Sequence, residues 1–406
     1  MRTMIRSLSA LSMIAGASLV ACGGGDSSSS STTSVTPTGS NVLSVVVDSG
    51  PSSNSFNTLY TTVTICVPGS TTECQTIDNV QVDTMSYGLR ILGSVLTLAL
   101  PVAHATDGNS LAECTTFADG FSWGPVASAD IQLSGESASA VPIQVIGASN
   151  FAAVPAACSA TGPTEEDTVA TFGANGILGI GVFEQDCGSG CASNANSGFY
   201  YSCTATACAQ IAVPLTSQVL NPVPLFATDN NGTLIDLPSV ASPGAATLTG
   251  SLIFGIDTQT NNASGTQTVL TVDPNSGDFT IVFGGQTLTD SFIDSGSNGI
   301  FFNDSNLTQC SSSDYSGFYC PAASQSFSAT LTGVNAVSAT ESFTVDNAQT
   351  VATNDPTFTV LTGLAGTFTS DLETFDWGLP FYYGRRVATA IELHSTAVGT
   401  GPYIAF

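Results

Sequence analysis

Two aspartates stand in stretches that nearly repeat each other. The first stretch is Val82-Asp83-Thr84-Met85-Ser86-Tyr87-Gly88-Leu89, and the second is Ile293-Asp294-Ser295-Gly296-Ser297-Asn298-Gly299-Ile300. At an offset of 211 residues Asp matches Asp, Ser matches Ser and Gly matches Gly; Thr84 faces Ser295, and Leu89 faces Ile300. An internal repeat of this kind implies two related halves. Each half then brings one carboxylate in one local setting. Two carboxylates that meet across a pseudo-two-fold axis can share a proton and activate a water. The tripeptide Asp-Ser-Gly alone carries little in a chain this rich in those residues. A third copy, Asp48-Ser49-Gly50, runs into Pro51 without the Ser-x-Gly-apolar continuation and reads as a turn.

A second landmark recurs. Gly176-Ile177-Leu178-Gly179-Ile180-Gly181 follows the first aspartate, and Asp376-Trp377-Gly378 follows the second. With these landmarks the chain resembles the pepsin-like aspartic peptidases, from about Val42 onward. In that family each lobe carries Asp-Thr/Ser-Gly-Ser/Thr on a turn, beside an apolar-apolar-Gly step. The resemblance implies a mostly β, two-lobed acid-protease fold with barrel-like lobes and a few short helices. It implies Asp83 and Asp294 as the catalytic dyad, with Thr84 and Ser295 bracing the two turns and Ser86 and Ser297 hydrogen-bonding the carboxylates. The substrate would be a peptide or protein bound between the lobes, with no cofactor and no metal. The whole chain also resembles a family of bacterial lipoproteins without an established activity.

Three departures from the peptidase pattern stand out. Met85 replaces Gly. Where that Gly needs positive φ, Met costs roughly 1–2 kcal/mol and sets a thioether beside the attacking water, so weakened catalysis is the expectation. A flap tyrosine is missing, since no Tyr lies between Tyr87 and Tyr200. The hairpin-like region Phe117 to Leu133 offers Phe121 or Trp123 in its place. No Lys or Arg lies between Cys22 and Arg90, so no basic pro-segment is present there to mask acidic residues.

Other chemistries are weaker. Gly120-Phe121-Ser122-Trp123-Gly124 matches the G-x-S-x-G elbow, with His394 downstream. That motif needs a strand before it and a helix after it, yet Pro125 follows and then alternating Ile131 and Leu133. A zinc site finds only His104 and His394, neither near paired cysteines.

The elements that must position the aspartates read as strands. Short runs rich in Val, Thr, Ile and Phe are separated by turn residues: Tyr60 to Val67, Asp130 to Leu133, Leu248 to Ile256, Phe279 to Phe283 and Glu341 to Val345. Stretches with helical period are scarce; one short helix is expected near Leu215 to Val219. The chain has eleven cysteines. Setting Cys22 aside leaves an even number, and export permits disulfides. Cys66 and Cys74 could close a hairpin, and Cys310 and Cys320 bracket a short loop. Cys187 lies near Cys191, and Cys203 near Cys208, which leaves Cys114 and Cys158. Spacing alone leaves this connectivity open.

The N-terminus reads as an export signal over 1–21. Arg2 and Arg6 precede an apolar run from Leu8 to Val20 that is too short for a stable membrane span. Leu19-Val20-Ala21-Cys22 has the form of a lipobox, with Cys22 as the lipidated residue. A flexible Gly/Ser/Thr tether follows over 22–40. Gly23, rather than Asp, after the cysteine points to the outer membrane where the cell has one. The body divides into an N-terminal lobe, 41–215, and a C-terminal lobe, 216–406. Beyond the signal only Arg90, Arg385 and Arg386 are basic, against 31 acids, which argues against nucleic acid as a partner and suits an acid environment. The expectation is a monomer held to the cell envelope by its lipid. Its function is an aspartic endopeptidase or, alternatively, a non-catalytic surface lipoprotein on the same fold.

Overall fold

The computed structural model describes residues 38–149, 151–368 and 373–406. The export signal, Cys22 and most of the tether lie outside the described residues. Strands dominate, and among the described residues the longest α-helix is Ala348–Asn354. The expected runs appear as Leu59–Cys66, Phe121–Leu133, Leu248–Phe254, Phe279–Phe283 and Ser338–Val345, with a single 3-10 turn at Leu215–Ser217. Phe279–Phe283 shows why: Phe279, Ile281 and Phe283 are buried while Val282 between them is exposed, the two-residue period of a half-buried strand.

The repeat in sequence is a repeat in strand register. In the first half Cys74–Asp83 runs parallel to Gly176–Ile180, with Val82 opposite Leu178 and Asp83 opposite Gly179. Gly176–Ile180 then runs antiparallel to Tyr87–Leu92, with Leu89 opposite Leu178. In the second half Gln286–Ile293 runs parallel to Asp376–Trp377, with Ile293 opposite Trp377. Asp376–Trp377 in turn runs antiparallel to Ile300–Phe301, with Ile300 opposite Trp377. The outer neighbours match as well: Tyr87–Leu92 is parallel to Glu136–Ile146, and Ile300–Phe301 to Ala365–Gly366. Asp83 therefore ends one strand and Asp294 directly follows its counterpart, and in each half the chain returns two strands over.

The halves are also stitched together. Val42–Val47 pairs along its whole length with Leu248–Phe254 and more briefly with Leu59–Cys66. Leu248–Phe254 continues into Gly232–Asp236, Arg386–Ala390 and Tyr403–Ala405. One apolar cluster draws on both halves, from Val45 and Leu89 to Phe302 and Trp377.

Five disulfides form: Cys66–Cys74, Cys114–Cys158, Cys187–Cys191, Cys203–Cys208 and Cys310–Cys320. Cys66 and Cys74 are cross-strand partners, as are Cys203 and Cys208, so these two bridges rivet hairpins. Cys114–Cys158 instead ties the strand Ser110–Thr116 to the short helix Ala156–Ser159.

Candidate active site

The two aspartate turns brace each other. Thr84 Oγ1 accepts the Ser295 N–H at 3.0 Å and reaches the Ile293 carbonyl at 3.4 Å. In return Ser295 Oγ donates to the Val82 carbonyl at 2.8 Å. Each hydroxyl thus holds the residue that precedes the opposite aspartate. Tyr382 Oη joins Thr84 Oγ1 at 2.9 Å, and Gln81 Nε2 donates to the Gly296 carbonyl at 2.9 Å. All these groups are buried, so every bond is made without competition from water.

Each carboxyl is cradled by its own turn. Asp83 Oδ1 accepts the Met85 N–H at 2.7 Å and the Ser86 N–H at 3.1 Å. Asp294 Oδ1 accepts the Gly296 N–H at 2.7 Å, and its Oδ2 accepts Ser297 Oγ–H at 2.9 Å. A Cβ on Gly296 would lie 2.8 Å from Asp83 Cγ, so the bare glycine lets the Asp83 carboxyl reach the second turn. The glycines of the second landmark act by close approach too. A Cβ on Gly179 would meet the Tyr87 nitrogen at 2.5 Å, and one on Gly378 the Gly299 oxygen at 2.1 Å.

Asp83 lies close enough to Asp294 for its charge to bear on it. Two carboxylates have no donor between them, so a hydrogen bond within the pair needs a proton on one. Asp83 Oδ2 meets no N–H or O–H donor and is available to that proton. Burial, then the charges of Asp83 and Asp376, hold Asp294 well above the ordinary carboxylate range.

A model of the family described as "Protein of unknown function (DUF3443)" matches residues 37–406. The chain belongs to the DUF3443 family. No curated protein matches it.

Around the carboxyl pair of this DUF3443 chain, the structure places the other candidate residues. Met85 is not at positive φ, so the expected backbone strain is absent. Its side chain, 2 % exposed, packs into a cluster of second-half residues with Phe292, Phe301, Phe318, Leu361, Leu364 and Phe368, joined by Phe56. Phe121 and Trp123 share a first-half cluster with Cys114, Cys158 and Tyr201, where Trp123 Nε1 donates to the Ala152 carbonyl. The hairpin aromatic that shares a cluster with Ile177 is Phe117, at the tip. Ser122 lies within the strand Phe121–Leu133, its hydroxyl on Gln144 at 2.9 Å, while His394 faces Glu184 at 3.2 Å; the elbow geometry is not formed.

Sequence reasoning passed over two residues. Arg90, fully buried, donates to the Tyr87 carbonyl at 2.8 Å, to Glu113 at 2.6 Å and to Asp186 at 3.2 Å. It locks the strand that leaves the first turn. Burial, then the charge of Glu113, holds Asp186 well above the ordinary range. The isolation of Arg90 as a lone cation in the first half was the available signal. The other is Asp376, whose place in an otherwise apolar step was visible but unread.

Proposed function

We propose that the protein is an exported, lipid-tethered relative of the pepsin-like aspartic peptidases that hydrolyses peptides. Asp83 and Asp294 share one proton. The ionised carboxylate takes a proton from water while the protonated partner polarises the peptide carbonyl. The observation that carries this reading is the reciprocal bracing of Thr84 and Ser295, which supports the duplicated turns in apposition. Ordinary Asp turns in a duplicated scaffold would not need to hold each other's backbone. The strongly acidic composition agrees with work at low pH, where carboxylates lose charge.

A second reading has its own support. Asp83 is 1 % exposed and Asp294 0 %, and Met85 fills a second-half cluster beside them. A peptide reaches the pair only if that packing opens. A closed pair of this kind would serve a non-catalytic surface lipoprotein.

Hydrolysis of an unfolded protein at acid pH, with and without pepstatin, separates the readings. The peptidase reading expects cleavage that pepstatin stops and that Asp294→Asn lowers roughly 10⁴-fold. Intact substrate at every acid pH leaves the non-catalytic reading. The tether is tested apart: Cys22→Ala should abolish incorporation of labelled fatty acid, and unchanged labelling refutes lipidation there.

A further inference from the structure

Asp376 stands two residues before Gly378, where Ile177 stands before Gly179. An apolar position in the first half is a carboxyl group in the second. Its neighbours across the strands are Phe292 and Phe301, both apolar. Asp376 is 0 % exposed, and neither of its oxygens meets an N–H or O–H donor. The hydroxyl beside it is that of Ser297. Ser297 has one proton and directs it to Asp294 Oδ2 at 2.9 Å. Towards Asp376 it therefore presents only lone pairs. A carboxylate facing lone pairs in a dry site is strongly disfavoured, whereas a carboxylic acid can donate to them.

We propose that Asp376 is a third, protonated carboxyl group that positions the aspartate pair: its O–H donates to Ser297 Oγ, and Ser297 donates in turn to Asp294. The chain of donors sets the Ser297 rotor and strengthens its bond to Asp294, since each hydrogen bond polarises the next. Asp376 is a positioning residue, acting through Ser297. The first half has no counterpart: Ile177 cannot donate, and Ser86 Oγ is buried without a partner.

The titratable groups that face Asp376 are Asp83, Asp294 and Tyr382. Burial first, with the charge of Asp83 adding to it, leaves Asp376 well above the ordinary carboxylate range. A carboxyl protonated in the folded chain and ionised in the unfolded chain favours folding at low pH. That contribution falls as pH rises from about 4, the ordinary value, towards the folded-state value.

The consequence for peptide cleavage rests on the dyad reading above, but the protonation does not. Infrared spectroscopy of the full folded chain at neutral pH reads a protonated carboxyl directly. Asp376→Asn should lack one protonated-carboxyl band of the wild type and should lose less stability as pH rises above about 4. A difference spectrum with no band lost overturns the proposal, whether or not the protein cleaves peptides. Positioning is read with pepstatin as the probe. Asp376→Leu should weaken its binding roughly tenfold, while Asp376→Asn, whose amide N–H replaces the O–H, should stay within about threefold of wild type. Equal losses in the two variants overturn the positioning role. Should Asp376→Asn fail to fold, Ser297→Ala serves: removing the acceptor should shift the Asp376 band, and an unmoved band overturns the proposal. A wild type that keeps the band yet neither binds pepstatin nor cleaves removes the peptidase reading and leaves the protonation of Asp376 standing.

Discussion

The two halves share one strand frame and fill it differently. Arg90 and Phe301 occupy equivalent places, seven residues past their aspartates. In the first half the space behind the turn holds an ionic cluster: Arg90, Glu113 and Asp186, with Tyr200 Oη on Asp186 at 2.8 Å. In the second half it holds aromatic rings. Phe301 lies among Phe292, Phe318 and Phe368, with the Phe318 ring 5.9 Å away. The contrast teaches that the turn geometry depends on a few close backbone approaches and on the Thr84–Ser295 exchange, and tolerates opposite kinds of support behind it. The turns themselves differ in the same spirit. Gly296 leaves room for a carboxyl, and Met85 fills a pocket. Ser297 is bonded, and Ser86 Oγ is not.

The sharpest way to break the comparison is Arg90→Met. It strands Glu113 and Asp186 in the core without their cation and should cost about 3–5 kcal/mol at neutral pH. Phe301→Leu, the equivalent change, should cost less than ~1.5 kcal/mol if rings there can repack. Denaturant midpoints at neutral pH measure both, and equal losses would show that the two supports are not different in kind.

Next come the turn residues. Met85→Gly empties part of the second-half cluster and should cost about 2–5 kcal/mol. Gly296→Ala pushes a methyl into the Asp83 carboxyl and should cost about 1–3 kcal/mol. Because Met85 is unstrained, any gain in acid-pH cleavage by Met85→Gly would come from opening the site. Unchanged stability in Met85→Gly would remove its packing role. The smallest effects separate the serines. Ser297→Ala should cost about 1–3 kcal/mol, the range for leaving a buried acceptor without its donor, and Ser86→Ala, which breaks no hydrogen bond, should cost much less. Thermal unfolding of the two variants side by side would show indistinguishable shifts if the asymmetry were not real.

Much of this was legible in the chain itself. The duplicated aspartate stretches marked the two turns, and period-2 runs such as Phe279–Phe283 marked strands. Short cysteine spacings pointed to four of the five bridges, and the fifth followed as the remaining pair without being fixed. Such signals are local, because residue type and spacing along a few positions set backbone preference and which face is apolar. The hairpin was legible, but the cluster each of its aromatics joins was not, since Phe117, Phe121 and Trp123 are all apolar and all end up buried.

What the sequence determined by itself was the existence of two carboxyl turns on a mostly β scaffold. Only the tertiary structure decided what surrounds them. It set Met85 of one half among the phenylalanines of the other, closed Arg90 over two acids, and brought Asp376 beside Ser297, far away along the chain. Those outcomes depend on contacts between distant segments. The same Met is strained at positive φ or relaxed in a pocket, and the same Asp is a solvated charge or a buried acid, according to which distant residues fold against it.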